Sequence, residues 1–225
     1  MGQNISHFQI NKYIYIYMNK SYEKYFVIGF NKTATSTFHN LFLNNNLTSQ
    51  HTKRWNTDKY ACFSDNGNSN NYKELDLKYE NSIFILNVRE LDKWLISRFK
   101  HGLRSKRKPN WAYPYTHEKC IDWINYREKY HMEILDYFTE RPEKIIIVNI
   151  EREGWIKYLC SQLHFKNNNI GSKNVNKTNN NNKDHENICE LVNKTLEELN
   201  YDKKTILFSN KELLDKYITI YNNYI

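Results

Sequence analysis

Two short stretches of the 225-residue sequence carry residue types suited to holding an anion. The first is Gly29-Phe30-Asn31-Lys32-Thr33-Ala34-Thr35-Ser36-Thr37, which leaves an apolar run and enters an amphipathic one. A strand, a short turn with a lysine and a hydroxyl-rich helix start form an anion-binding arrangement. The free N–H groups at a helix N-terminus face the ligand, and the helix dipole favours negative charge. Lys32 adds a positive charge, and Thr33, Thr35, Ser36 and Thr37 add hydroxyl donors. A capped helix with a solvated lysine would use the same residues. The nucleoside-triphosphate loop G-x-x-x-x-G-K-[ST] is incomplete here, because no glycine precedes Lys32. In the second stretch, Arg89 ends another apolar run and Ser97 follows eight residues later. The guanidinium fork suits a phosphate, and the serine hydroxyl can add a bond to the same group. A salt bridge with a nearby acid is the competing use of Arg89.

These residues need elements to position them. Lys24 to Phe30 reads as an apolar strand ended by a polar turn, and Thr35 to Asn44 as a helix with Phe38, Leu41 and Phe42 on one face. Residues 47–82 read as polar and irregular. Ile83 to Val88 and Ile145 to Ile150 are continuous apolar runs, the type buried on both faces of a parallel sheet. Helices are expected over Leu91 to His101, Glu118 to Phe138, Trp155 to Leu163, Asp184 to Leu199 and Asn210 to Asn222. Tyr13 to Met18 suggests a short edge strand. Arg104 to Pro114 reads as a basic loop, and residues 166–184 as an Asn/Lys-rich loop. Strands alternating with helices predict one α/β domain over residues 1–225, a three-layer sandwich around a mainly parallel sheet. Such sheets bind ligands beyond the carboxyl ends of their strands, which is where Lys32 and Arg89 fall.

Composition narrows the classes. No apolar run reaches the length of a membrane-spanning helix. The polar N-terminus lacks the apolar core of a signal peptide. Four cysteines without a C-x-x-C pair exclude a zinc framework and read as reduced thiols, which predicts a cytoplasmic protein. The net charge of +8 attracts polyanions, yet no nucleic-acid-binding motif accompanies the cluster Arg104, Lys106, Arg107, Lys108, so no specific nucleic-acid partner is expected. Gly2 and Ser6 fit a loose N-myristoylation pattern, and membrane contact is expected only if Gly2 is acylated.

Together the segments resemble the sulfotransferase family that uses 3′-phosphoadenosine 5′-phosphosulfate (PAPS). Lys32 to Thr37 resemble its P-K-[ST]-G-T-[TS] loop, which holds the 5′-phosphosulfate. Arg89 and Ser97 resemble its strand-end Arg and the Ser eight residues on, which hold the 3′-phosphate. Tyr130 to Phe138 with Ile145 to Glu151, Trp155 to Leu163, and Gly171 to Lys177 resemble later elements in the same order, so the resemblance covers roughly residues 24–178, with the C-terminal helices (184–222) beyond it. Asn31 replaces the usual Pro, and Ala34 the usual Gly. If position 34 needs φ > 0, an alanine there is strained.

The resemblance implies a P-loop NTPase-like α/β fold and transfer of a sulfuryl group from PAPS to a hydroxyl or amine, with carbohydrates among the open acceptors, leaving adenosine 3′,5′-bisphosphate. It implies no metal. Lys32, Thr33, Ala34, Thr35, Ser36, Thr37, Arg89, Ser97 and Lys173 are the expected nucleotide-binding residues, with Lys177 a further cation. Lys32 and His51 are the expected catalytic pair, His51 as general base with Asp65 and His101 in reserve. Trp111, Tyr113 and Tyr115 are candidates to line a sugar site. Two rivals remain. A P-loop kinase or NTPase needs an Asp at the end of a later strand to hold Mg²⁺, and the later strand read from the sequence ends at Arg89. The other rival is a non-catalytic protein that binds nucleotides or polyanions. The acceptor and the oligomeric state are not readable from the sequence.

Overall fold

The computed structural model describes residues 22–52, 54–65, 71–104, 115–170 and 182–221. Five parallel strands form one sheet in the order β2-β3-β1-β4-β5. They are β1 (Lys24–Val27), β2 (Ser49–His51), β3 (Cys62–Ser64), β4 (Ser82–Val88) and β5 (Ile145–Asn149). The helices are α1 (Thr35–Asn44), α2 (Tyr72–Lys78), α3 (Leu91–Arg104), α4 (His117–Phe138), α5 (Trp155–Gln162), α6 (Asn182–Glu198) and α7 (Lys211–Ile220).

Side-chain alternation along the strands divides the apolar residues between two cores. Phe84, Leu86 and Val88 of β4 and Ile145 and Ile147 of β5 face the helices α2, α3, α4, α6 and α7. Ile83, Ile85, Ile146 and Val148 face the other way, onto Phe38, Leu41 and Phe42 of α1 and Leu159 of α5. This is the three-layer α/β sandwich that the two buried runs predict. Among the described residues no helix is long and apolar enough to cross a membrane. Cys62, Cys120 and Cys160 are buried and Cys189 is partly exposed; all are free thiols.

The main correction concerns residues 47–82. They are not irregular: they supply β2, β3 and α2. Ser49-Gln50-His51 has no apolar periodicity, so its extended form comes from pairing with β3 rather than from propensity. The expected strand at Tyr13 to Met18 and most of the loops at 104–114 and 166–184 lie outside the described residues.

One buried base has a consequence for pH. His131 of α4 is 1% exposed. Its ring centroid lies 5.8 Å from that of Phe30, and its Nδ1 lies 3.3 Å from the Leu207 carbonyl. Burial, and then the charge of Arg127, push its pKa well below the ordinary 6.5. The folded state therefore holds a neutral ring while the unfolded chain takes up a proton below 6.5. The stability from this ring is present above that pH and is lost as pH falls, by up to about 1.4 kcal/mol per unit. Urea unfolding is expected to show a steeper loss between pH 7 and pH 5.5 for the native chain than for His131→Phe.

Candidate functional site

The turn after β1 is built by its neighbours. Gly29 N–H donates to Asn87 Oδ1 at 2.8 Å, and Asn87 Nδ2 donates to the Thr33 carbonyl and hydroxyl, each at 2.6 Å. The Thr33 hydroxyl donates to the Phe30 carbonyl. Asn87 lies on β4 and is 1% exposed. It therefore holds both ends of the loop at once. From α3, Trp94 Nε1–H donates to the Asn31 carbonyl at 3.2 Å and Arg98 to Asn31 Oδ1 at 2.9 Å. The rigidity that a proline would give is supplied here by two hydrogen bonds. The Arg98 guanidinium is stacked between Trp94 and Trp123, 5.3 and 4.6 Å from their ring centroids.

Lys32 and Ala34 have φ of 70° and 62°, the left-handed region. Position 34 does need φ > 0, at a cost of about 1–2 kcal/mol for a residue with a Cβ. Ala34 is the N-cap residue of α1, and no side chain caps the helix. Thr37 N–H turns back to the Ala34 carbonyl at 2.8 Å, which leaves the Thr35 and Ser36 N–H groups as the orphan donors of the first turn, at the carboxyl edge of the sheet.

The hydroxyls that follow do not share one role. Thr33 is 3% exposed and its hydroxyl is engaged by Phe30 and Asn87, so its side chain shapes the loop. Thr35 Oγ1 is 3.5 Å from Asp65 Oδ1, at the outer limit of a hydrogen bond. Ser36 Oγ is 3.1 Å from His51 Nε2, and His51 Nδ1 is 3.0 Å from Ser64 Oγ. Thr37 is half-buried in the first turn. His51 ends β2, so it stands at the same edge as the loop. Burial, and then the nearby His51, lower the pKa of His39, whose ring lies 5.6 Å from that of His51.

Arg89 follows β4 and makes the ion pair that the sequence left open. Its Nε donates to Glu151 at 2.6 Å, while Nη1 donates to the Lys32 carbonyl at 3.2 Å. Two of the five guanidinium N–H groups are used in this way. Burial alone would raise the Glu151 carboxyl, but hydrogen bonds from Lys93 and Arg89 hold it below its usual value. Arg127 Nη2 donates to the Arg89 carbonyl at 2.7 Å and to the Ile206 carbonyl, which fixes the strand end from below. Burial lowers the Arg127 pKa to about 9. Ser97 is half-buried one turn beyond Lys93 on the same stripe of α3. Its hydroxyl makes no hydrogen bond to Arg89 in this structure; the fork's contacts are with Glu151 and Lys32.

His101 is exposed, about 15 Å along α3 from Leu91. Tyr115 packs on Phe99, with ring centroids 6.5 Å apart. Lys173, Lys177, Trp111 and Tyr113 lie outside the described residues.

Asn87, Ser64 and Arg127 were not singled out from the sequence. Asn87 was detectable as the one polar residue in the run Ile83 to Val88, since a buried amide must find partners. Asp65 gains weight as well. It follows β3, the neighbour of β1, so the kinase rival does have an Asp at the end of a later strand. No family model, curated protein or solved structure matches the chain.

Proposed function

We propose that the chain is a PAPS-dependent sulfotransferase acting on a hydroxyl or amine acceptor. The observation that supports this reading best is the joining of two anion-suited elements at one sheet edge: Arg89 donates to the carbonyl of Lys32, in the loop that opens the uncapped helix α1. The donor set suits a ligand with negative charge at two ends. The first-turn N–H groups, Lys32 and Ser36 would hold the phosphosulfate end. Arg89 would hold the 3′-phosphate, with Ser97 adding its hydroxyl.

PAPS supplies an activated sulfuryl group for in-line transfer. Lys32 and the loop N–H groups stabilise the charge that grows on the departing phosphate. His51, 3.1 Å from Ser36 at the rim of the loop, takes the acceptor proton. A preorganised donor aimed at developing charge is worth about 2.7–4 kcal/mol. Lys32→Ala is therefore expected to lower turnover by on the order of a hundredfold or more. The assay is transfer of labelled sulfate from PAPS to a panel of sugars, phenols, amines and tyrosine peptides. Turnover that survives unchanged in Lys32→Ala would contradict the assignment.

One observation favours a second reading, a Mg²⁺-dependent nucleoside-triphosphate enzyme. Asp65 at the end of β3 stands 3.5 Å from Thr35 at the start of α1, the kind of hydroxyl–carboxylate pair that holds Mg²⁺ in such enzymes. Against it, Thr35 rather than lysine follows Ala34.

A further inference from the structure

The contacts of Ser36 go beyond phosphate binding. Ser36 Oγ, His51 Nε2, His51 Nδ1 and Ser64 Oγ form a continuous chain with steps of 3.1 and 3.0 Å across the ring. Three separate elements contribute to it. Ser36 is the second residue of α1, His51 ends β2 and Ser64 ends β3. The register of β2 on β3 pairs His51 directly with Ser64, so the sheet itself sets the imidazole against the buried hydroxyl. Ser64 is 0% exposed, whereas Ser36 and His51 are only half-buried. A nucleophile within reach of a base, with the base oriented by a third group, is the geometry of an activated serine.

We propose that Ser36 is a covalent nucleophile for acyl transfer from a carboxylic ester, with His51 as its base and Ser64 as the positioning residue that fixes the imidazole tautomer. With Nδ1–H donated to Ser64, Nε2 accepts the Ser36 proton. Ser36 Oγ then bonds to the ester carbonyl carbon, the bond from that carbon to the leaving oxygen breaks, and the leaving alcohol takes the proton from His51. Water attacks the acyl carbon through the same base, which releases the carboxylic acid and restores Ser36. The Thr35 and Ser36 N–H groups at the uncapped α1 start would be the donors to the oxyanion, since the Thr37 N–H is taken by the Ala34 carbonyl. This proposal stands on the serine–histidine–serine geometry and does not depend on the PAPS reading.

The test uses the full chain without nucleotide and a biotin-linked fluorophosphonate, which bonds to an activated serine through phosphorus and expels fluoride. The expected result is a label mapped to Ser36 by peptide mass spectrometry and lost in Ser36→Ala. Its rate should fall by on the order of a hundredfold or more in His51→Gln. In Ser64→Ala the ¹⁵N shifts of the His51 ring should change along with a slower rate, which a merely structural role for Ser64 would not produce. Ser36→Cys keeps the histidine contact and gives an independent reading: its thiol should react with iodoacetamide faster than free cysteine at pH 7. No label on the folded native chain, an equal rate in His51→Gln, or an unexceptional thiol at position 36 would overturn the proposal.

Discussion

Gly29→Ala is expected to lower the melting temperature by roughly 6–12 °C and to dismantle the loop that follows. A Cβ built on Gly29 falls 2.1 Å from the Asn87 backbone oxygen and 2.3 Å from Asn87 Oδ1. The first is a main-chain atom of a central strand and cannot swing aside. The second is the acceptor of the Gly29 N–H. Overpacking of this kind costs about 1–3 kcal/mol and sometimes more, and the loss of the Asn87 bonds puts this site at the upper end. At about 2–4 °C per kcal/mol for a chain of this length, that gives the stated fall. Gly154→Ala is the control. Gly154 has φ 76° with no atom within 4 Å of the added Cβ, so only backbone strain of about 1–2 kcal/mol applies. Thermal melts of the two variants decide the matter. Equal shifts would mean that Asn87 does not grip the loop as described.

Asp76→Ala is expected to cost about 3 kcal/mol by urea unfolding. The Asp76 side chain is 1% exposed and faces Arg141 at 2.7 Å and Lys144 at 3.0 Å. The Tyr137 hydroxyl donates to it at 3.0 Å. Breaking a buried ion pair costs about 3–5 kcal/mol. Arg141 is 43% exposed and recovers hydration when the acid is removed, which places this case at the low end. Burial alone would raise the carboxyl pKa, but hydrogen bonds from Lys144, Arg141 and Tyr137 hold it below the ordinary 3.8. The stability it contributes is present above that pH and is lost as pH falls through the lower folded value. The gap between the native chain and Asp76→Asn should therefore be constant from pH 7 to about pH 5 and should close below about pH 4. A gap that persists at low pH would contradict an ionic origin.

The elements around the site were legible to different degrees. Ile83 to Val88 and Ile145 to Ile150 announce themselves because both faces of a central parallel strand are buried, so apolar residues run without a break. β2 and β3 are three residues each, and Ser49-Gln50-His51 carries no apolar signal, so they exist through pairing that sequence periodicity does not encode. That omission hid Ser64 and the strand-end position of Asp65, because a strand end has to be located before its residues can be placed. Lys32 and Arg89 were readable from their position after apolar runs. The partner of Arg89 was not, since Glu151 is 62 residues away along the chain. The left-handed backbone at Ala34 was anticipated only through the family resemblance, because alanine itself gives no hint of positive φ.

The central claim is that the loop carrying Lys32 and the strand end carrying Arg89 form one nucleotide site. The most direct measurement is thermal stability with adenosine 3′,5′-bisphosphate, beside ATP with Mg²⁺. A ligand at 100 times its dissociation constant adds about 2.7 kcal/mol, a rise of about 5–11 °C for a chain of this length. The predicted result is a rise with the bisphosphate that disappears in Arg89→Ala. A rise only with ATP and Mg²⁺, or none with either ligand, would contradict the account.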